Sequence, residues 1–445
     1  MRILILGAGT VGASIAERLS SLGHDVTVID TNAELARQLD AELDVGVITG
    51  SASQASVLFQ AEVMSVDLCL ALTGVDEINV LAASMAKVMG ATRVAARVYT
   101  GVFLDLSTFD YQHHFKIDRL LNLEHLTAME LARRIREPGA MIIEHFARGA
   151  LEMQDVIISR PSKATGVPLV DLKIPSEVRI GAINRNGNVT IATASDQIEV
   201  GDRISLFGTW NDVDAVKKMF HTLPTVRRNV VIAGCGETGF HLALVLEKRG
   251  YQVTILEKDR ARCDFLATRL KRSTVVHCDA RRRFDLEEER IGDADVFVAC
   301  MKEDEDNIMA CVEAQELGTP MLMGVVNRPD YANVVGKLGI HEVVSPREVM
   351  ARQIEGLLNT GAVIFRNKHI LGSGIEVLEI EAKPDSPVTR GTLKEVRLPR
   401  RSIIGAVIRE GFVQVPRASD RIRASDTVVA LVQTDVVEEF VNAFG

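Results

Sequence analysis

The sequence predicts an α/β protein with two Rossmann-like, doubly wound parallel-sheet domains, each followed by a small α+β domain. Three observations carry that expectation. The pattern G-x-G-x-x-G occurs twice in 445 residues, as Gly7-Ala8-Gly9-Thr10-Val11-Gly12 and Gly234-Cys235-Gly236-Glu237-Thr238-Gly239, 227 positions apart. Each copy follows an apolar run and opens an amphipathic stretch. A second repeat, residues 180–202 against 404–426, aligns without gaps and is identical at 11 of 23 positions.

The first strands are read at Ile3-Leu4-Ile5-Leu6 and Val230-Val231-Ile232-Ala233. In the turn that follows, the first glycine permits the tight bend, the second lets backbone approach a diphosphate, and the third lets helix pack on strand. The helix then offers unpaired N–H groups and its positive end to the phosphates. Second strands, Val26-Thr27-Val28-Ile29 and Val253-Thr254-Ile255-Leu256, lead into Asp30 and Glu257, each 18 residues past its third glycine. A carboxylate there accepts hydrogen bonds from ribose hydroxyls. It also repels a 2′-phosphate, since like charges about 4 Å apart cost roughly 4 kcal/mol at an effective dielectric of about 20. The acids therefore favour NAD or an adenine nucleotide over NADP.

The repeat continues through a fourth strand, Val66-Asp67-Leu68-Cys69-Leu70-Ala71 and Ala294-Asp295-Val296-Phe297-Val298-Ala299. Helix starts follow, in which Asp76, Glu77 and Asn79 correspond to Asp304, Glu305 and Asn307 at an offset of 228. Acids there suit the helix dipole. Fifth strands are read at 93–98 and 321–326. Strands alternating with helices mean a parallel sheet. The stretch 123–135, apolar at Leu126, Met129, Leu131 and Ile135, reads as a helix with two open packings, a connector on its own domain or a crossover shared between domains. Its counterpart is residues 346–354.

Residues 180–202 and 404–426 show short alternating strands, such as Val189-Thr190-Ile191, and turns such as Asn186-Gly187. Terminal helix patterns follow at 213–220 and 436–444. Each is a small α+β unit, too short for a catalytic domain. The domains are expected at 1–138, 139–223, 224–360 and 361–445, with breakers Pro138-Gly139, Leu223-Pro224 and Thr360-Gly361 at the boundaries.

Composition narrows the function classes. With 51 Lys and Arg against 60 Asp and Glu, net charge is −9, and no sequence-wide basic surface for nucleic acid exists. The N-terminus enters a strand at once and lacks the pattern of a signal peptide. No apolar run approaches the ~20 residues that span a bilayer, so direct membrane insertion is not expected. Six scattered cysteines without C-x-x-C suit reduced, buried thiols; Cys235, inside a glycine turn, is either a redox sensor or a small residue tolerated there. The adjacent His113-His114 lack the spacing of a helical metal site, and Arg281-Arg282-Arg283 reads as a solvated face. No catalytic or metal-ligating constellation is predicted. An NAD-dependent dehydrogenase is one rival reading, for which the chain lacks a substrate domain with a proton-transfer group.

These residues together resemble the TrkA-type regulatory subunits of Trk potassium-uptake systems, which carry two RCK domains in tandem. The likeness covers nearly the whole chain, including the Ile180-Gly181-Ala182 and Ile404-Gly405-Ala406 stretches. It implies nucleotide sites for NAD, NADH, ATP or ADP. By position, Gly7, Gly9, Gly12 and Asp30 match the family's phosphate turn and ribose acid, with Thr10 and Val11 in the turn. Thr73 matches the polar residue after the fourth strand, and Arg97 a strand-end arginine that reaches phosphate. In the second half Gly234, Gly236, Gly239 and Glu257 match, with Glu237 and Thr238 in the turn, and Asp279 matches an acid after the third strand. Departures are Gly50-Ser51-Ala52, which lacks that acid, Met301 in place of Thr73, and Val325 in place of Arg97, where nearby Arg328 is a candidate substitute. The first crevice is thus expected to take a charged diphosphate or triphosphate, and the second to prefer NAD(H) or to bind weakly. The resemblance further implies a homo-oligomer, a dimer or tetramer ring, peripheral on the cytoplasmic face of the membrane beneath a membrane-embedded Trk-type potassium transporter subunit. The second rival reading is a nucleotide-sensing subunit of another potassium channel or transporter, which shares the architecture.

Overall fold

A computed structural model of the chain describes all residues except 106–107, 136–139, 147–150, 209, 221–227, 329–330, 332–334, 341, 359–361, 368–373 and 410–411. The expected boundaries at Pro138-Gly139, Leu223-Pro224 and Thr360-Gly361 lie outside the described residues. The chain forms two compact units, residues 1–135 with 226–354, and 136–225 with 355–445.

The first unit holds two six-stranded parallel sheets. One comprises β1 (Arg2–Leu6), β2 (Asp25–Asp30), β3 (Gly46–Thr49), β4 (Leu68–Ala71), β5 (Arg93–Arg97) and β6 (Arg119–Leu121), in the order β3-β2-β1-β4-β5-β6. One small-domain sheet separates it from its copy, with strands β7 (Ala140–Phe146), β8 (Leu151–Ile157), β9 (Val178–Arg185), β10 (Asn188–Ile191) and β11 (Arg203–Gly208). The copy comprises β12 (Asn229–Ala233), β13 (Gln252–Glu257), β14 (Thr274–His277), β15 (Val296–Ala299), β16 (Met321–Val325) and β17 (Glu342–Val344), in the equivalent order β14-β13-β12-β15-β16-β17.

Side chains on each strand alternate between two cores, as the period of two requires. Val230, Ile232, Val253, Ile255, Val296 and Val298 pack with Leu242 and Leu246 of the helix Glu237–Lys248. Val231, Ala233, Leu256, Phe297 and Ala299 pack on the opposite face with Ala310, Cys311 and Ala314 of the helix Asp304–Glu316. Both faces are covered, so the strands read as near-continuous apolar runs.

The helix Leu123–Ile135 takes the crossover packing. Ala128, Leu131, Ala132 and Ile135 enter the core built around β12, β13 and the helix Glu237–Lys248. The buried stripe is Leu123, Thr127, Ala128, Leu131, Ala132 and Ile135, whereas Leu126 and Met129 are only half-buried. Small side chains let the two helices approach closely, a preference that counting large apolar residues misses. Arg134 fixes the crossing, donating from Nη1 to Glu342 Oε2 at 2.6 Å and to the Val343 carbonyl at 3.0 Å. Arg228 caps the helix end through the Ile135 carbonyl at 3.1 Å. Across the same contact His125 meets His241 edge-on, ring centroids 5.2 Å apart.

The second unit holds two five-stranded antiparallel sheets of one topology. The first runs β10-β9-β11-β8-β7. The second comprises β18 (Val363–Asn367), β19 (Ile375–Glu381), β20 (Ser402–Arg409), β21 (Phe412–Gln414) and β22 (Thr427–Gln433), ordered β18-β19-β22-β20-β21. Each sheet is covered on one side by its terminal helix, through Val213 and Val216 or Val437 and Phe440. The other faces meet in a shared core that joins Met153, Ala182 and Phe207 to Val377, Ala406, Val429 and Leu431. This explains the repeated Ile-Gly-Ala stretches. The register shifts at Gly181 and at Gly405. A methyl group there would lie 2.7 Å from Phe207 Cε2 at Gly181 and 2.8 Å from Phe207 Cδ1 at Gly405. The repeated Arg and Asp of the same stretches form bidentate forks, Arg185 to Asp202 at 2.8 Å and Arg409 to Asp426 at 2.8 and 2.7 Å.

Two predictions follow from this packing. Phe207→Ala removes a fully buried ring held by glycines of both small domains and should lower unfolding free energy by about 3–5 kcal/mol in denaturant titration. A loss below about 1 kcal/mol would contradict the shared core. Burial, reinforced by His241 and Lys248, lowers His125 from its ordinary 6.5 to about 4, and burial lowers His241 as well. A histidine kept neutral when folded but free to protonate when unfolded stabilises the fold at higher pH. For His125 that stability is lost as pH falls from 6.5 toward 4, at about 1.4 kcal/mol per pH unit. Urea titrations across this window should show the loss, and His125→Gln should flatten it by one proton's share.

Candidate nucleotide crevices

In each parallel sheet the chain order reverses between the first and fourth strands, and the loops at their C-terminal ends diverge into a crevice. In the first crevice Gly7 leaves β1 at φ +110° and donates to the Ile29 carbonyl at 2.7 Å. A methyl group on Gly12 would fall 1.9 Å from the Gly7 carbonyl oxygen, so only glycine permits this approach of helix to turn. Gly9 is different: it caps the helix Thr10–Ser21 without a side-chain bond, and a methyl group there meets nothing within 4 Å. The first intrahelical bond runs from Ala13 to the Gly9 carbonyl, which leaves the earlier N–H groups, at Thr10, Val11 and Gly12, without intrahelical partners.

Asp30 ends β2 and accepts the Ala8 N–H at 2.6 Å and the Asn32 N–H at 2.7 Å, one on each oxygen. A carboxylate has about four acceptor positions, so capacity remains for ribose hydroxyls. The opposite wall is held by buried Asn79. Its Oδ1 accepts from the Thr73 hydroxyl at 2.7 Å and the Thr73 N–H at 2.8 Å. Its Nδ2 donates to the carbonyls of Thr73 at 3.0 Å and Arg97 at 2.9 Å, which staples the ends of β4 and β5 together. Asp76 accepts the Tyr99 and Thr100 N–H groups, both at 2.8 Å. The Arg97 guanidinium lies 3.2 Å from Glu124 Oε1. Burial raises the Glu124 carboxyl, and Arg97 only partly offsets this.

The second crevice repeats the frame. Gly234 (φ +80°) donates to the Leu256 carbonyl at 2.9 Å, and a methyl group on Gly239 would lie 2.6 Å from the Gly234 carbonyl oxygen. Gly236 again borders open space, ahead of Glu237 and Thr238. Glu257 accepts from Cys235 and Asp259, both at 2.9 Å, as Asp30 does. Asn307 bonds Met301 and the Val325 carbonyl as Asn79 bonds its own two strands. Asp304 receives the Asn327 and Arg328 N–H groups at 2.9 Å. Asp76 and Asp304, at the first position of each helix, thus tie down the loop that follows the fifth strand.

The walls differ in charge. Asp279 is engaged by Arg281 at 2.6 and 2.8 Å, and that bond holds its carboxyl below the usual range. Arg281, Arg282 and Arg283 are exposed, as the solvated-face reading expects, and on that face Arg283 also reaches Glu287, Glu313 and Glu316. Arg328 lies over the Tyr331 ring and bonds its hydroxyl at 3.0 Å. Sequence reading missed Arg262, which donates from Nε to the Cys235 carbonyl at 2.8 Å and from Nη2 to Glu237 Oε1 at 2.9 Å. Its residue type gave no signal, because the corresponding position of the first half is Leu35. Tyr99 senses both ion pairs: burial raises its phenol, Glu237 and Glu124 add to this, and Arg262 and Arg97 oppose it. Cys235 is buried and its thiol is pushed up, which favours the small-residue reading over a reactive thiolate. Among the described residues no group of three or more His, Cys, Asp or Glu could hold a metal ion, and no helix is long and apolar enough to cross a membrane.

Family comparison falls on this frame. The TrkA-N domain model matches residues 3–107 and 230–346, the two parallel-sheet modules, and the TrkA-C domain model matches 153–221 and 377–445. A Trk system potassium uptake protein TrkA homolog from Archaeoglobus fulgidus is 32% identical over 444 residues, covering 100% of both chains. The chain belongs to the TrkA family. The Trk system potassium uptake protein TrkA of Azorhizobium caulinodans is 30% identical over 454 residues, covering 100% of this chain and 98% of its own. The fold is shared with the GsuK RCK domain (TM-score 0.60, 18% identity, covering 100% of this chain and 94% of that one). It is shared too with the GsuK channel bound to NAD (TM-score 0.61, 18% identity, covering 99% and 79%). In TrkA-family terms, both glycine turns lie in TrkA-N domains and both Ile-Gly-Ala bulges in TrkA-C domains.

The glycines separate into two roles. Gly9→Leu and Gly236→Leu should fill the open space and abolish nucleotide binding at their own crevices, with stability changed by less than about 1 kcal/mol. Gly12→Ala should instead destabilise the fold by several kcal/mol through overpacking, about 1–3 or more. Binding titrations beside thermal melts distinguish the two.

Proposed function

We propose that the chain is the nucleotide-binding regulatory subunit of a Trk-type potassium-uptake system and that both crevices bind nucleotides. NAD, NADH, ATP and ADP are the ligands. The observation that carries this reading is the pair of open gaps above Gly9 and Gly236, each flanked by a helix N-terminus and a ribose-side carboxylate in a TrkA-N domain. Gly7, Gly9, Thr10, Val11, Gly12, Asp30, Thr73 and Arg97 form one site. Gly234, Gly236, Glu237, Thr238, Gly239, Glu257 and Asp279 form the other. The subunit works as a homo-oligomeric ring at the cytoplasmic face of the membrane, docked on the transporter subunit that conducts the ion.

Regulation then needs only differential binding. A ligand shifts a conformational equilibrium by the difference in its affinities for the two states. Moving from about 1:99 to 99:1 takes roughly 5.5 kcal/mol, or under ~1.4 kcal/mol per site when four sites of a ring contribute. The mechanical link between the crevices is the helix Leu123–Ile135, which leaves the first module beside Arg97 and Glu124 and packs on the helix that begins at the second glycine turn.

Calorimetric titration with NADH, NAD, ATP and ADP tests the reading. Wild type should bind, and Asp30→Ala and Glu257→Ala should each weaken binding at their own crevice by about tenfold or more, the worth of a lost charged hydrogen bond. Potassium uptake through the partner should respond to nucleotide with the wild-type chain and not with the doubly filled Gly9→Leu/Gly236→Leu chain. No binding by wild type, or turnover of a redox substrate, would reject the proposal.

A further inference from the structure

The second crevice lacks a cation at the end of its fifth strand, where buried Val325 stands in the position of Arg97. It gains one from a different element. Arg262 lies in the helix Arg260–Arg269, which follows the ribose-side acid, and its side chain is 24% exposed. The guanidinium lies over Phe265 at 4.8 Å and Phe240 at 5.7 Å, which holds it against the module. From there it bonds the Cys235 carbonyl, inside the glycine turn, and the Glu237 carboxylate, on the first residue of the helix. A guanidinium presents several N–H donors in one plane and suits bidentate phosphate contacts. Glu237 is the counterweight. It places a negative charge at the helix end that would otherwise be the most favourable place for an anion. In the first crevice the same two positions are Thr10 and Leu35, which carry no charge.

Resting on the reading of this crevice as a nucleotide site, we propose that the Arg262–Glu237 pair sets its ligand class: Arg262 binds the diphosphate, and Glu237 restricts the site to dinucleotides such as NAD and NADH. The diphosphate of a dinucleotide is esterified at both ends and shares Arg262 with Glu237 at moderate charge. ADP and ATP end in a free phosphate of higher charge, which meets the Glu237 carboxylate in a part-buried setting where screening is weak.

The test uses the full-length chain with the first crevice filled by Gly9→Leu, titrated with NADH and with ATP, and thermal melts as a fold control. NADH should bind, with ATP at least about tenfold weaker. Adding Glu237→Gln should raise ATP affinity about tenfold relative to NADH, and adding Arg262→Gln should weaken NADH by about tenfold or more. NADH binding with neither substitution changing the affinities or their ratio would overturn the assignment of this pair while leaving the nucleotide reading intact. If the Gly9→Leu chain binds no nucleotide although wild type does, the second crevice is not a nucleotide site and the proposal falls with that reading. Binding that persists in the Gly9→Leu/Gly236→Leu chain would remove the glycine turns themselves as the sites.

Discussion

In each nucleotide module the first helix lies against its own glycine turn so tightly that a methyl group would strike a carbonyl oxygen, at 1.9 Å from Gly12 or 2.6 Å from Gly239. The rest of the crevice depends on that approach. It brings the unpaired N–H groups of a helix start to the end of the central strand, where the sheet order reverses. The acid that ends the second strand then serves two purposes. It holds the turn by accepting an N–H from its second residue, and it keeps acceptor capacity toward the gap. The buried asparagine on the far wall, Asn79 or Asn307, fastens the C-terminal ends of two neighbouring, paired strands. Backbone, carboxylate and amide thus fix the frame in the same way in both copies.

On this common frame the charges are arranged differently. Both crevices contain an arginine–glutamate pair, but the arginine comes from the fifth strand in one and from the helix after the second strand in the other. The pair in the first crevice lies at the root of the crossover helix, and the pair in the second opens the helix that receives it. The two modules therefore share one electrostatic neighbourhood, as Tyr99 registers. Duplication supplied two equivalent frames, and divergence of a few side chains made them unequal.

The small domains follow the same logic. Their glycine bulges exist because sheets from both halves close on one core, in which Phe207 of the first copy and Leu431 of the second occupy corresponding positions. The bidentate Arg–Asp fork beside each bulge ties two parts of the repeat together where the Asp is almost fully buried. A buried charge of that kind is tolerated because it is paired and bonded in full.

The sequence by itself determined the doubled doubly wound architecture, the two glycine turns, their acids and the small repeated domains. These are local or periodic features: a steric requirement for glycine, a fixed distance along a strand–helix–strand unit, and an alternation of two residues. Asn79 and Asn307 were visible only as repeated letters, since their work is to join the ends of the two strands that flank their own helix. Folding alone decided that the helix Leu123–Ile135 crosses to the other module. The choice rests on a stripe that alternates small residues, Ala128 and Ala132, with Leu131 and Ile135 and fits a surface about a hundred residues away. It also decided that Asp279 is bound by its neighbour Arg281, and that Arg262 reaches the second glycine turn. A side chain's partner depends on what the fold places within about 3 Å of it, and no spacing in a single sequence records that.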